Sequence, residues 1–187
     1  MVPVAQASDD WDVTLEYRGA ETVSPRGVRS RAGKPVRFSF TRYEPRIAWS
    51  ARFFVWGDST DPRTKVDAFR AMLDSAKPVV ELSPARLDYM WYRPSIKDVP
   101  QSRFAIRSKG RVSLPEGSTY ELRTISDDGV RVWLDGKLAI DHWTPHESDA
   151  GVDRVSLSPG AHELEVQYYQ VDGWTELRVE IVRTSRL

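Results

Sequence analysis

Residues 120–141, YELRTISDDGVRVWLDGKLAID, constrain this chain more than any other stretch. Tyr120, Leu122 and Thr124 alternate with charged neighbours, the period of a strand with one buried face. Ser126-Asp127-Asp128-Gly129 breaks that period with a turn carrying two adjacent carboxylates. Val130, Val132 and Leu134 resume it, and Asp135-Gly136 leads on into Leu138 and Ile140. Asp-Gly between alternating runs predicts a two-residue hairpin, because both turn positions take positive φ. The stretch therefore predicts a strand, a carboxylate-bearing corner and a tight hairpin.

The same period recurs along the chain. Residues 163–169 place Leu164, Val166 and Tyr168 on one face, and residues 176–182 place Leu177, Val179 and Ile181 on one face. Val112-Ser113-Leu114 with a Pro-Glu-Gly turn is echoed by Val155-Ser156-Leu157 with a Ser-Pro-Gly turn, which predicts two similar hairpin-like units. Earlier, 11–17, 35–43, 79–82 and 86–92 read as strands, 19–33 as a loop with room for a short strand, and 94–100 as a loop. The aromatic run at 47–56 (Trp49, Phe53, Phe54, Trp56) reads as a buried strand, with an exposed aromatic platform as the alternative. One helix is expected over 61–76, capped by Asp61 with Pro62 in its first turn and Val66, Phe69, Met72 and Leu73 on one face. The sum is an all-β antiparallel β-sandwich with one added helix. Residues 1–10 read as a flexible tail and 11–187 as a single module, with 84–183 its core and 11–83 a strand and helix extension.

Composition narrows the chemistry. Lys plus Arg and Asp plus Glu both number 27, and a balanced charge argues against a nucleic-acid binder, which needs a basic surface. Arginines do crowd the first third (Arg18, Arg26, Arg29, Arg31, Arg37, Arg42, Arg46), where an anionic polymer could bind or the charges could be solvated. The absence of cysteine excludes disulfides and thiolate zinc sites, so stability must come from a core rich in Trp, Tyr and Phe. No apolar run reaches the ~20 residues of a membrane helix, and residues 1–10 lack the apolar core of a signal peptide. No nucleophile elbow, phosphate loop or dinucleotide motif occurs. The chain is therefore expected not to be an enzyme.

The residues Gly117-x-x-Tyr120, Ser126-Asp127-Asp128-Gly129-Val130-Arg131, Trp133-Leu134-Asp135-Gly136-Lys137, Ile140-Asp141-x-Trp143 and Pro159-Gly160-x-His162 follow one another in a familiar order. They resemble the protective-antigen (PA-fourteen) domain family, a β-sandwich module of bacterial toxins, adhesins, flocculins and glycosidases. The likeness runs from about residue 102 to 182. It implies a β-sandwich with Trp143 in its core, serving a larger extracytoplasmic protein.

Two readings of Asp127 and Asp128 stay open. At a corner their oxygens can converge on a hard cation, or one can accept from backbone N–H groups of the turn. The resemblance implies calcium, because the flocculin branch holds it with such an Asp pair joined by a cis peptide and uses it to bind sugar hydroxyls. Two carboxylates do not fill a shell of ~6–8 oxygens, so Asp172, in the loop 170–174, is expected to help. The flocculin branch brings an asparagine and backbone carbonyls to that loop; this chain has no asparagine there. Trp174 could stack on a sugar face or pack on the sandwich. His142 and His146 have zinc-pair spacing, but Pro145 argues for a loop.

The expected function is a non-catalytic carbohydrate-binding module of a larger secreted or cell-surface protein. It would bind a glycan or polysaccharide through Trp174, Asp172, Asp127 and Asp128, with calcium on Asp127, Asp128 and Asp172. Two alternatives are a structural or protein-interaction domain with no sugar ligand, and an accessory insert of a glycoside hydrolase.

Overall fold

The computed structural model describes residues 45–115 and 117–183 in full and, before them, the backbone of 11–17, 22–23, 29–30 and 36–42. The expected tail at 1–10 lies outside the described residues, as do the side chains of Arg18, Arg26, Arg29, Arg31, Arg37 and Arg42. The chain divides into two compact units, Met1–Glu44 and Pro45–Leu187. In the first, β1 (Trp11–Tyr17) pairs antiparallel with β4 (Val36–Arg42), and β2 (Thr22–Val23) pairs with β3 (Arg29–Ser30).

The second unit is an antiparallel β-sandwich. It contains β5 (Ile47–Val55), β6 (Val80–Leu82), β7 (Leu87–Trp91), β8 (Phe104–Leu114), β9 (Ser118–Asp127), β10 (Val130–Leu134), β11 (Lys137–His142), β12 (Asp149–Leu157), β13 (Gly160–Gln170) and β14 (Thr175–Arg183). Six strands form one sheet in the order β11-β10-β13-β8-β5-β6, and four form the other in the order β12-β9-β14-β7. The expected alternation is what fills the space between them. Leu164, Val166 and Tyr168 from the larger sheet are buried, as are Tyr120, Leu122, Leu177 and Ile181 from the smaller. Phe53 meets Tyr89 edge-on across the sandwich, with centroids 5.6 Å apart. Each such ring removes a large apolar area from water, on the order of 2–3 kcal/mol. The run at 47–56 is therefore core, not platform.

Two expectations about the elements change. The echoed units at 112–122 and 155–164 are not hairpins. β8 and β9 lie in different sheets, as do β12 and β13, so each turn crosses the sandwich. The likeness survives as pairing, β8 with β13 and β9 with β12. The helix, α1 (Val66–Ser75), starts five residues later than expected. Asp61 does not cap it. Its carboxylate accepts from the Arg63 backbone N–H at 2.9 Å and the Arg63 guanidinium at 2.6 Å, a local turn that competes with helix.

α1 lies on the outer face of the six-stranded sheet. Phe69 and Leu73, both fully buried, pack with Phe54, Trp56, Ala105 and Tyr169 into a second core, against which Trp143 also rests. Phe54, Ala105 and Tyr169 are cross-strand neighbours on β5, β8 and β13. Trp143 donates from Nε1 to the Pro62 carbonyl at 3.1 Å and packs edge-on against Tyr169 at 4.8 Å, so it is partly buried against this second core and not between the two sheets as expected. Among the described residues no helix is long and apolar enough to cross a membrane.

Candidate functional site

The two carboxylates sit where the chain passes from one sheet to the other. β9 ends at Asp127 in the smaller sheet and β10 begins at Val130 in the larger, so Asp127-Asp128-Gly129 spans the sandwich edge. The Asp127–Asp128 peptide is cis. Gly129 is required by packing: a Cβ there would lie 2.3 Å from the Tyr169 ring. The Tyr169 N–H donates to the Gly129 carbonyl at 3.0 Å, which ties the corner to β13.

Asp128 is buried, and its Oδ2 accepts from the Val171 N–H at 2.8 Å. Burial raises its pKa, while the backbone N–H groups of Val171 and His146 pull it back. Asp128 is thus an acceptor of backbone N–H, but from the loop after β13 and not from the turn itself. Asp127 differs. It is half-buried beside Glu176, its register partner on β14. Burial first, then Asp128, Glu147 and Glu176, push its carboxyl up to about 6, with His146 opposing them.

The loop after β13 closes the site. Gln170, fully buried, donates from Nε2 to the Asp172 carbonyl at 2.6 Å and to the Trp174 carbonyl at 2.7 Å. Its Oε1 and the Asp127 carbonyl share the single proton of the Tyr168 hydroxyl. The Asp172 side chain is exposed, and Trp174 keeps 41% of its surface in water. Thr175 lies opposite Trp91 where the β14–β7 ladder ends, and the residues just beyond it on the two chains, Trp174 and Tyr92, are both exposed, Tyr92 to 58%. Two exposed aromatic residues therefore share one end of the sandwich with the Asp corner.

The three carboxylates expected to share calcium are not assembled. Asp172 turns its carbonyl inward instead of its carboxylate. Among the described residues no group of three His, Cys, Asp or Glu side chains is placed to hold a metal ion. What else the corner offers a cation is the Asp172 and Trp174 carbonyls, and both are taken by the Gln170 amide. His142 and His146 pack ring against ring at 5.6 Å, where β11 ends. Another groove, on the outer face of the larger sheet, is lined by Arg70, Lys109, Arg111, Trp133, Glu163 and Glu165, where Arg111 pairs with Glu163 at 2.6 Å and Glu165 with Arg107 at 3.0 Å.

Gln170 and Tyr92 escaped the sequence reading. Gln170 left a signal, since it continues the inward series Leu164, Val166, Tyr168 and is a polar residue on an apolar face. Tyr92 left none, because its exposure depends on where β7 ends.

With this geometry in hand, comparison with known proteins is decisive for the family. The PA14 domain model matches residues 67–185, more than half of the chain. The chain belongs to the PA14 domain family. This PA14 module is 29% identical over 93 residues to the Anti-sigma-I factor RsgI3 of Acetivibrio thermocellus, a match covering 49% of this chain and 14% of that protein. Its fold resembles the PA14 domain of the MpAFP antifreeze protein, with a TM-score of 0.62 at 14% identity, covering 74% of this chain and 83% of that one. It also resembles a PA14 sugar-binding domain from an RTX adhesin, with a TM-score of 0.55 at 15% identity, covering 72% and 88%. At such identities the likeness speaks for the fold alone. The module spans a small part of its curated relative's length.

Proposed function

We propose that this chain is a non-catalytic carbohydrate-binding module of a larger extracytoplasmic protein, and that its site is the sandwich end bearing Asp127, Asp128, Asp172, Trp174 and Tyr92. The observation that carries the reading is the exposed Trp174 ring on a loop pinned to the Asp corner. An amphipathic ring held at low entropic cost suits the C–H face of a pyranose. The Asp127 carboxylate beside it supplies an acceptor for sugar hydroxyls, and the exposed Asp172 a second. The adhesin domain that shares this fold is described as sugar-binding, which agrees with the reading.

Binding to a panel of soluble polysaccharides and arrayed glycans tests it, in chelator and again in calcium. Retention of the unmutated chain by at least one glycan is expected, with Trp174→Ala weakened tenfold or more, since stacking contributes ~1–2 kcal/mol. Absence of binding in both buffers would remove the reading and leave a protein-interaction domain as the alternative.

A further inference from the structure

Gln170 holds the site together in a way that bears on what the site requires. Its carboxamide is fully buried, so one oxygen and two N–H groups must all find partners inside the protein. Both protons of Nε2 are used, on the Asp172 and Trp174 carbonyls. Oε1 takes the Tyr168 hydroxyl, which also reaches the Asp127 carbonyl. The next residue, Val171, gives its N–H to Asp128. Oxygens from two separate segments, 127–128 and 172–174, are thus gathered at one end of the sandwich by donors from 168–171. Gathering carbonyl and carboxylate oxygens is the work of a hard cation. Here N–H and O–H donors perform it. The amide cannot be reversed without setting Oε1 against two carbonyl oxygens, a repulsion that only a cation between them would offset.

We propose that the Gln170 carboxamide takes the place of a metal ion at this corner, so that the loop bearing Asp172 and Trp174 is held in shape without calcium. The proposal deepens the carbohydrate reading and rests on it only for what the loop presents. Gln170→Glu keeps the side chain's length and turns the bridging donor into an acceptor. A carboxylate oxygen then faces the Asp172 and Trp174 carbonyls, and the variant acquires a need for a cation that the unmutated chain lacks. Gln170→Met keeps the length and removes all three of the amide's bonds without adding charge.

The test uses the unmutated chain and both variants. Melting curves are recorded in chelator and in millimolar calcium, and terbium emission is excited through tryptophan. The unmutated chain should melt at one temperature in both buffers and sensitise no terbium. Gln170→Met should melt lower by roughly 5 °C or more in both, as loss of the amide's three buried hydrogen bonds implies. Gln170→Glu should melt lower in chelator, recover in calcium by mass action and sensitise terbium. A calcium-dependent rise or a terbium signal in the unmutated chain would overturn the proposal. So would a Gln170→Glu chain that calcium neither stabilises nor returns to the folded state. The sugar result separates the two readings. A chain that ignores calcium and binds no glycan sinks only the carbohydrate reading; one that binds a glycan only in calcium sinks only this proposal.

Discussion

Strand β10 carries an aspartate-glycine turn at each end, and the two turns use the same residues in opposite ways. At Asp135-Gly136 the carboxylate is spent on architecture. Asp135 Oδ2 lies 2.7 Å from His162 Nδ1, and Oδ1 accepts from the Glu163 N–H at 2.9 Å. Burial works against the charged form, but His162 and that N–H outweigh it and hold the Asp135 pKa below its ordinary value. At Asp127-Asp128-Gly129 carboxylates face carboxylates, and both pKa values are raised. One aspartate is structural because a cation and an N–H group meet it; the other keeps an uncomfortable charge near the surface. The exposed Trp174 lies at the uncomfortable end, and perturbed carboxyls beside exposed aromatics are where a ligand gains most.

The contrast is most easily broken at its glycines. Gly129→Ala drives a methyl into the Tyr169 ring, which Trp143 backs, and should cost about 3 kcal/mol. Gly136→Ala meets nothing within 4 Å and violates only its φ of +77°, so about 1 kcal/mol is expected. Urea unfolding of the pair measures the difference; equal losses would mean that the corner is not packed as described. Between them falls Asp128→Ala, which orphans the Val171 N–H and should cost about 2 kcal/mol.

The smallest effects concern pH, and their signs matter more than their sizes. Asp127, at about 6 in the folded chain against 3.8 ordinarily, holds a proton that the unfolded chain releases between those values. Stability should therefore fall as pH rises through that window. Asp127→Asn removes the effect, so melting curves should show the variant gaining on the unmutated chain at pH 7 and not at pH 4. At the other turn, burial lowers the His162 pKa, but Asp135 and the Ser158 carbonyl raise it further, to a net value above 6.5. Its contribution is fully present below pH 6.5 and is lost as pH rises through the elevated value. His162→Asn should accordingly destabilise more at pH 6 than at pH 9.

Much of this was legible in the residues, and what was not has a common cause. Alternation at 120–124, 130–134 and 176–182 told which side chains face inward, because that period is local. It could not tell which sheet a strand joins, which depends on partners far along the chain. Hence the 112–122 and 155–164 units read as hairpins although each crosses the sandwich. The second core under α1 was hidden for the same reason: Tyr169 occupies an outward position and is covered by distant residues, among them Phe69 and Trp143. The Asp127-Asp128 corner was legible as chemistry, but not its division of labour. That division is set by Val171 and Gln170, more than forty residues away.

The central claim is that the corner end of the sandwich binds carbohydrate through Trp174 and Asp127 without a metal ion. Affinity electrophoresis through gels cast with polysaccharides, run in chelator, tests it most directly. The account predicts that at least one polysaccharide retards the unmutated chain, and that Trp174→Ala migrates freely while keeping its melting temperature. Retardation by none of the polysaccharides, or equal retardation of the two proteins, would contradict it.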